Sequence, residues 1–183
     1  EALNSMKKDL ERLETITDRF SKIGSNPTLI PTDIVQETQS VVTYLMERSS
    51  SLISFDINLP DQKYFTPLCS PLYGWVIENL IKNGIDAMQG EGTIRVTTKV
   101  QDHFIKIMIS DTGFGIPKHL QKAIFSPGVT NKKRGWGLGL SLAKRIVEDY
   151  HNGFLRLQET HPEKGTTMEI MPKLMAKDAV ESE

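Results

Sequence analysis

Asn79 and Asn83 lie four residues apart within the apolar run 76–88, so a helix there carries both side chains on one face. Asparagine is a poor helix former, and an amide buried without a partner is costly. Solvent exposure or bonds to neighbouring backbone would satisfy them. The sharper reading is that one amide oxygen ligates Mg2+, a hard cation that keeps waters and phosphate oxygens around it. Gly84 follows at once and costs ~1 kcal/mol against alanine in mid-helix. A closely approaching ligand or backbone explains that cost.

Three further segments have chemical content. DTGFG at 111–115 ends an apolar strand in a carboxylate and turns on two glycines. Such an aspartate is often only a turn former, but it can also accept from the exocyclic amine of adenine. Gly113 and Gly115 would let the main chain pass close to a purine ring. GWGLGL at 135–140 opens a helix, where free N–H groups and the positive end of the dipole suit phosphate. It has neither the preceding strand nor the following lysine of a Walker loop, and no βαβ setting for a dinucleotide fingerprint. Lys132, Lys133 and Arg134 precede it, either as a solvated turn or as phosphate partners. Together with Pro127 and Gly128 they give 125–135 the composition of a mobile lid. GTT at 165–167 is an ordinary turn by itself and gains meaning only as the fourth of the series.

The elements that must position these residues follow from periodicity. Residues 3–23 carry a three-four apolar stripe (Leu3, Met6, Leu10, Leu13, Phe20) that needs a partner surface. A second helix is expected over 32–49, with a buried stripe of Ile34, Val41, Val42, Leu45 and Met46. The alternation at 54–59 predicts a strand, and Ser70 with Pro71 predicts the capped start of a long helix to about 89. Strands are expected over 93–100, 104–109, 154–159 and 166–171, with helices over 118–123 and 138–151. The pattern is α+β: a two-layer sandwich with a mixed sheet covered by helices on one face, plus the N-terminal helix.

Bulk properties narrow the field. The chain has 183 residues, with 22 basic against 23 acidic side chains and a net charge of -1, which gives no field for steering nucleic acid or anionic lipid. No apolar run reaches the ~20 residues of a membrane helix, and no signal peptide opens the chain, which points to a cytoplasmic globular protein. The lone Cys69 excludes an internal disulfide and reads as a small buried hydrophobe.

The four segments, with Phe125 ahead of the lid, resemble the N, G1, F, G2 and G3 boxes of sensor histidine kinases, over roughly residues 30–172. The resemblance implies the Bergerat ATP-binding fold of the GHKL group, binding ATP and Mg2+. Carried over, Asn83 is the metal asparagine, with Asn79 supporting it, and Asp111 reads the adenine amine. Gly113 and Gly115 form the first glycine box, Gly135, Gly137 and Gly139 the second, Gly165 and Thr166 the third. The implied ATP site also takes in Asp86, Ile116, Phe125, Thr130, Lys132, Lys133, Arg134, Leu138 and Leu140. Trp136 stands where many members carry a small residue or threonine.

By the same resemblance, 1–24 is the second helix of the dimerisation and phosphotransfer hairpin, 25–31 a linker, 32–173 the catalytic domain and 174–183 a polar tail. None of His103, His119, His151 or His161 sits on an amphipathic helix before an acid, so none fits the phosphoacceptor. The implied function is transfer of the ATP γ-phosphate to a histidine on a separate hairpin helix, then relay to a response-regulator aspartate. The implied partners are the receiver domain of that regulator and the hairpin of a homodimer, with no nucleic acid and no membrane contact by these residues. The domain itself would be cytoplasmic; anchoring of a full-length protein in the inner membrane stays open.

Alternatives differ in single residues. In chaperone, gyrase and mismatch-repair ATPases of this fold a glutamate activates water, and its place here is taken by Asn79, which cannot act as a base. Glu78 is adjacent but turned ~100° away. An anti-sigma serine kinase lacks a hairpin helix, which the stripe in 3–23 disfavours. A non-catalytic nucleotide-sensing or dimerisation module would lose Asn83 or Asp111, and both are present.

Overall fold

The computed structural model describes residues 27–130 and 137–176. The expected helix over 1–24, the basic run with Gly135 and Trp136, and the end of the polar tail lie outside these residues.

A short strand, β1 (Ile30–Asp33), runs directly into α1 (Ile34–Met46). The expected helix therefore starts two residues late and stops three early. Asp33 is its cap: the carboxylate accepts from the N–H groups of Val35 and Tyr64, each at 3.2 Å. Ile34, Val42 and Leu45 are buried as the stripe requires, but Met46 is exposed and Thr38 is buried instead. The Thr38 hydroxyl donates to the Ile34 carbonyl or to the buried Tyr73 hydroxyl, so this polar pair is satisfied inside the core.

β2 (Ile53–Asn58) and β3 (Phe65–Leu68) follow. β3 pairs antiparallel with β1 in a small two-stranded sheet that periodicity did not predict, because Pro31 and Pro67 interrupt both short runs. Next comes α2 (Ser70–Ala87). Ser70 is not its cap: Cys69 holds that place without a side-chain bond, and its carbonyl accepts from Leu72 and Tyr73 N–H at 3.0 Å. The Cys69 N–H donates to His151 Nε2 at 3.0 Å, which ties the helix start to a distant segment.

β4 (Gly92–Gln101) and β5 (Phe104–Asp111) form the hairpin that periodicity predicted. The expected helix over 118–123 is absent: Leu120, Ala123 and Ser126 each bond back three residues in successive turns. α3 (Gly139–Arg145) continues as a π-helical turn at Ile146–Tyr150. β6 (Phe154–His161) and β7 (Gly165–Met171) close the sheet.

The main sheet has the order β2-β4-β5-β7-β6, with β2 parallel to β4 and every other pair antiparallel. α2 lies across it, burying Leu72, Val76, Ile77, Leu80 and Ile81 against Ile94, Ile107, Ile109 and Ile170. Each such side chain contributes about 1.5–3 kcal/mol on leaving water. The opposite sheet face is mixed: Asp56 is bridged to Arg95 at 2.6 Å and Lys106 to Glu169 at 3.7 Å, and beside them the Phe104 and Phe154 rings meet at 6.0 Å. The result is the α+β sandwich with one helical layer.

Candidate active site

Between α2 and the loops that follow β5 lies a cavity of about 590 Å³, in the size range of small-molecule sites. Its floor is sheet: Ile109, Asp111, Thr166 and Met168. One wall is the end of α2, with Asn79, Leu80, Asn83, Asp86 and Ala87. The facing wall is the start of α3, from Gly137 to Leu140, and the loop 114–130 closes the rest with Phe114, Gly115, Ile116, Pro117, Leu120, Ile124 and Thr130.

Packing around Asp111 explains several glycines. A β-carbon on Gly84 would fall 2.9 Å from Ile94 Cδ1 and 3.0 Å from Asp111 Cβ, so the bare helix face lets α2 settle on the sheet here. The close neighbour that justifies this glycine is thus the sheet. Gly113 likewise makes room for the Ala87 main chain, 2.7 Å from where its β-carbon would be. Gly115 has φ +74 and abuts the His161 carbonyl. Gly165 has φ +99 and abuts the Asp111 carbonyl. Gly113 and Gly165 support the cavity from behind and do not line it, and the half-buried Phe125 stands behind it as well, under the Lys144 ammonium at 4.8 Å.

The Asp111 carboxylate accepts from Gly113 N–H at 2.8 Å. Burial pushes its carboxyl above the usual aspartate range, while the N–H groups of Gly113 and Thr166 pull the other way. An accepting carboxylate at the end of an apolar slot (Leu80, Ile109, Ile116, Met168) suits a planar base with an exocyclic amine.

Asn79 faces the glycine-rich turn so closely that a β-carbon on Gly139 would overlap its side-chain oxygen. Its Nδ2 is buried and has no hydrogen-bond partner. Amide nitrogen and oxygen exchange by a flip, so the cavity holds one unspent polar group of either sense. Among the described residues no three His, Cys, Asp or Glu side chains are grouped to hold a metal. A cation here would take most ligands from phosphate and water, which fits Mg2+ and the neutral amides of Asn79 and Asn83. Glu78 faces the other way, in a groove with Tyr44 and Trp75, and pairs with Lys82.

Of the residues expected at the site, Asn79, Asn83, Asp86, Asp111, Gly115, Ile116, Thr130, Gly137, Leu138, Gly139, Leu140 and Thr166 share this cavity. Lys132, Lys133, Arg134, Gly135 and Trp136 are outside the described residues. Sequence reasoning missed Phe114, Leu120, Ile124 and Met168. Apolar side chains in a loop-rich stretch were the available signal for the first three, whereas Met168 lies on β7.

The histidine kinase-, DNA gyrase B-, and HSP90-like ATPase family matches residues 72–176. The chain belongs to that family, as a histidine kinase-type ATP-binding catalytic domain. Sporulation kinase A of Bacillus subtilis is 37% identical over 52% of this chain and 15% of its own length. Sporulation kinase E of the same organism is 31% identical over 91% of this chain and 23% of its own. The chain thus spans less than a quarter of either relative. The catalytic domain of histidine kinase ThkA superposes with a TM-score of 0.70 at 25% identity, covering 79% of this chain and 95% of that one. ThkA in complex with the response regulator TrrA gives 0.71 at 22% identity, over 94% and 50% of the two chains, a likeness of fold.

Proposed function

We propose that the chain binds Mg-ATP in this cavity and passes the γ-phosphoryl group to a histidine on a separate hairpin helix, for relay to a response-regulator aspartate. One observation carries the choice of acceptor. The side chain facing the glycine-rich turn is the amide of Asn79, and the adjacent carboxylate, Glu78, is turned away and paired with Lys82. An amide in that place cannot activate water, so hydrolysis is disfavoured and ATP is kept for transfer.

Asp111 accepts from the adenine amine, and the apolar slot holds the ring. The N–H groups at the start of α3 and the Asn79 amide face the phosphates. Asn83, supported by Asn79, would hold the Mg2+, which when bound would supply positive charge against the phosphate oxygens. The imidazole nitrogen of the acceptor displaces ADP at phosphorus, so catalysis rests on positioning and charge neutralisation. Lys132, Lys133 and Arg134 would add cations to the phosphates, Gly135 belongs to the second glycine box, and Trp136 is counted with the ATP site. Residues 1–24 serve as the second hairpin helix, 25–31 as linker, 32–173 as the catalytic domain and 174–183 as tail. The kinase works as a homodimer at the cytoplasmic side, and no helix among the described residues is long and apolar enough to cross a membrane.

Titration with a fluorescent ATP analogue tests the site. Both Asp111→Asn and Asn83→Ala are expected to weaken binding at least tenfold; unchanged affinity in both would sink the assignment. Adding a purified phosphoacceptor hairpin then separates kinase from hydrolase. Radiolabel from γ-labelled ATP should appear on histidine, and free phosphate should not outpace it.

A further inference from the structure

The loop 111–116 carries the carboxylate and part of the apolar slot. On one side it is tied to β4 and α2, where Thr112 Oγ1 accepts the Thr93 N–H at 3.0 Å and the Phe114 N–H donates to the Ala87 carbonyl at 3.3 Å. The β6–β7 hairpin holds it on the other side. Ile116 N–H donates to Thr160 Oγ1 at 2.8 Å. Thr160 Oγ1 also lies 3.1 Å from Thr166 Oγ1 and 3.4 Å from the Gly165 carbonyl, one of which takes its proton. Thr166 in turn bonds through its main chain to the Asp111 carboxylate. Glu163 N–H donates to the Phe114 carbonyl at 3.2 Å, and Gly115 has space only for hydrogen against the His161 carbonyl. One threonine hydroxyl therefore connects both ends of the loop, although Thr160 is no part of the cavity wall.

We propose that Thr160 is a positioning residue for base recognition: its hydroxyl sets the spacing between Asp111 and Ile116, the carboxylate and the slot edge that grip the purine. The inference rests on the reading of Asp111 as the acceptor for the adenine amine. A hydroxyl that accepts one bond and gives another cannot be replaced by a methyl group without leaving the Ile116 N–H unpaired. Thr160→Val keeps the shape and removes both bonds. Thr160→Ser keeps both bonds.

The test measures binding of ATP and of inosine triphosphate, in which a carbonyl replaces the amine, to the full chain. Wild type should prefer ATP. Thr160→Val should lose about fivefold in ATP affinity and most of that preference, and Thr160→Ser should restore both. A loss of thermal stability alone, with the preference intact, would overturn the proposal, as would failure of serine to rescue. Should Thr160→Val not fold, Thr160→Ala serves, with amide exchange at Ile116 as a second readout: it should quicken in Ala and not in Ser. Equal binding of the two nucleotides by wild type would instead remove the reading of Asp111.

Discussion

Gly165 is pressed against the main chain of Asp111, so that a β-carbon on the glycine would overlap the aspartate's carbonyl oxygen. The third glycine box thus serves the first: its bare α-carbon lets β7 approach β5 where the carboxylate must sit. Gly90 provides an internal control, because it has the same φ of +99 and nothing within 4 Å. Gly90→Ala should cost only the conformational penalty, about 1 kcal/mol. Gly165→Ala should cost at least twice that, because overlap with backbone cannot relax by a side-chain rotation. Urea denaturation of the two variants measures the difference.

Asp111→Asn separates function from stability. Burial raises the carboxyl's pKa in the folded chain, so its contribution to stability is present at low pH and is lost as pH rises through the folded value. At pH 7 the wild type bears the cost of a buried anion that asparagine avoids. The variant should bind ATP at least tenfold more weakly while its nucleotide-free melting temperature is not lowered. A melt and a nucleotide titration of one preparation check both.

The unpartnered Nδ2 of Asn79 makes the same trade visible. Asn79→Leu has nearly the same shape and removes a buried donor without a partner, so the nucleotide-free domain should gain about 1 kcal/mol and lose ATP binding. Asn83→Ala should lower ATP affinity in Mg2+ to the value found in EDTA, because the proposed link between cation and protein is gone. Calorimetry with and without Mg2+ distinguishes the two asparagines.

His151 predicts an acid limit. It is buried, its Nε2 accepts the Cys69 N–H, and burial lowers its pKa to about 4, with the nearby Ile146 main chain acting the other way. The unfolded chain takes up a proton near pH 6.5 while the folded chain resists, so stability falls as pH drops from about 6.5 to about 4. The loss should be on the order of 2–3 kcal/mol, and His151→Gln should flatten this part of the profile. Denaturant midpoints across that pH range test it.

Much of the fold was legible because its signals are local. The 3.6-residue period of 76–88 announced α2, and the alternation at 54–59 announced β2. Local signals failed where tertiary contacts outweigh propensity. β1 and β3 form despite Pro31 and Pro67 because each satisfies the other's edge. The stretch 118–123 has helical composition, yet its chain is drawn into turns where Leu120 and Ile124 face the cavity. Ser70 had the chemistry of a cap, but the neighbouring Cys69 N–H is occupied by His151, 82 residues away.

The sequence by itself determined the chemical parts and their order: two amides on one helix face, a carboxylate before a glycine turn, a glycine-rich helix start and a third glycine. Residue type and short spacing suffice for that, because the chemistry of each part resides in a few adjacent side chains. Only the tertiary structure decided what each part touches. Sheet register brought Gly165 onto Asp111 and Thr160 onto Ile116, helix packing put Gly84 against the sheet, and rotation about α2 aimed Asn79 into the cavity and Glu78 away from it. Those contacts join residues far apart in the chain, and distance along the chain carries no information about them until the strands are paired.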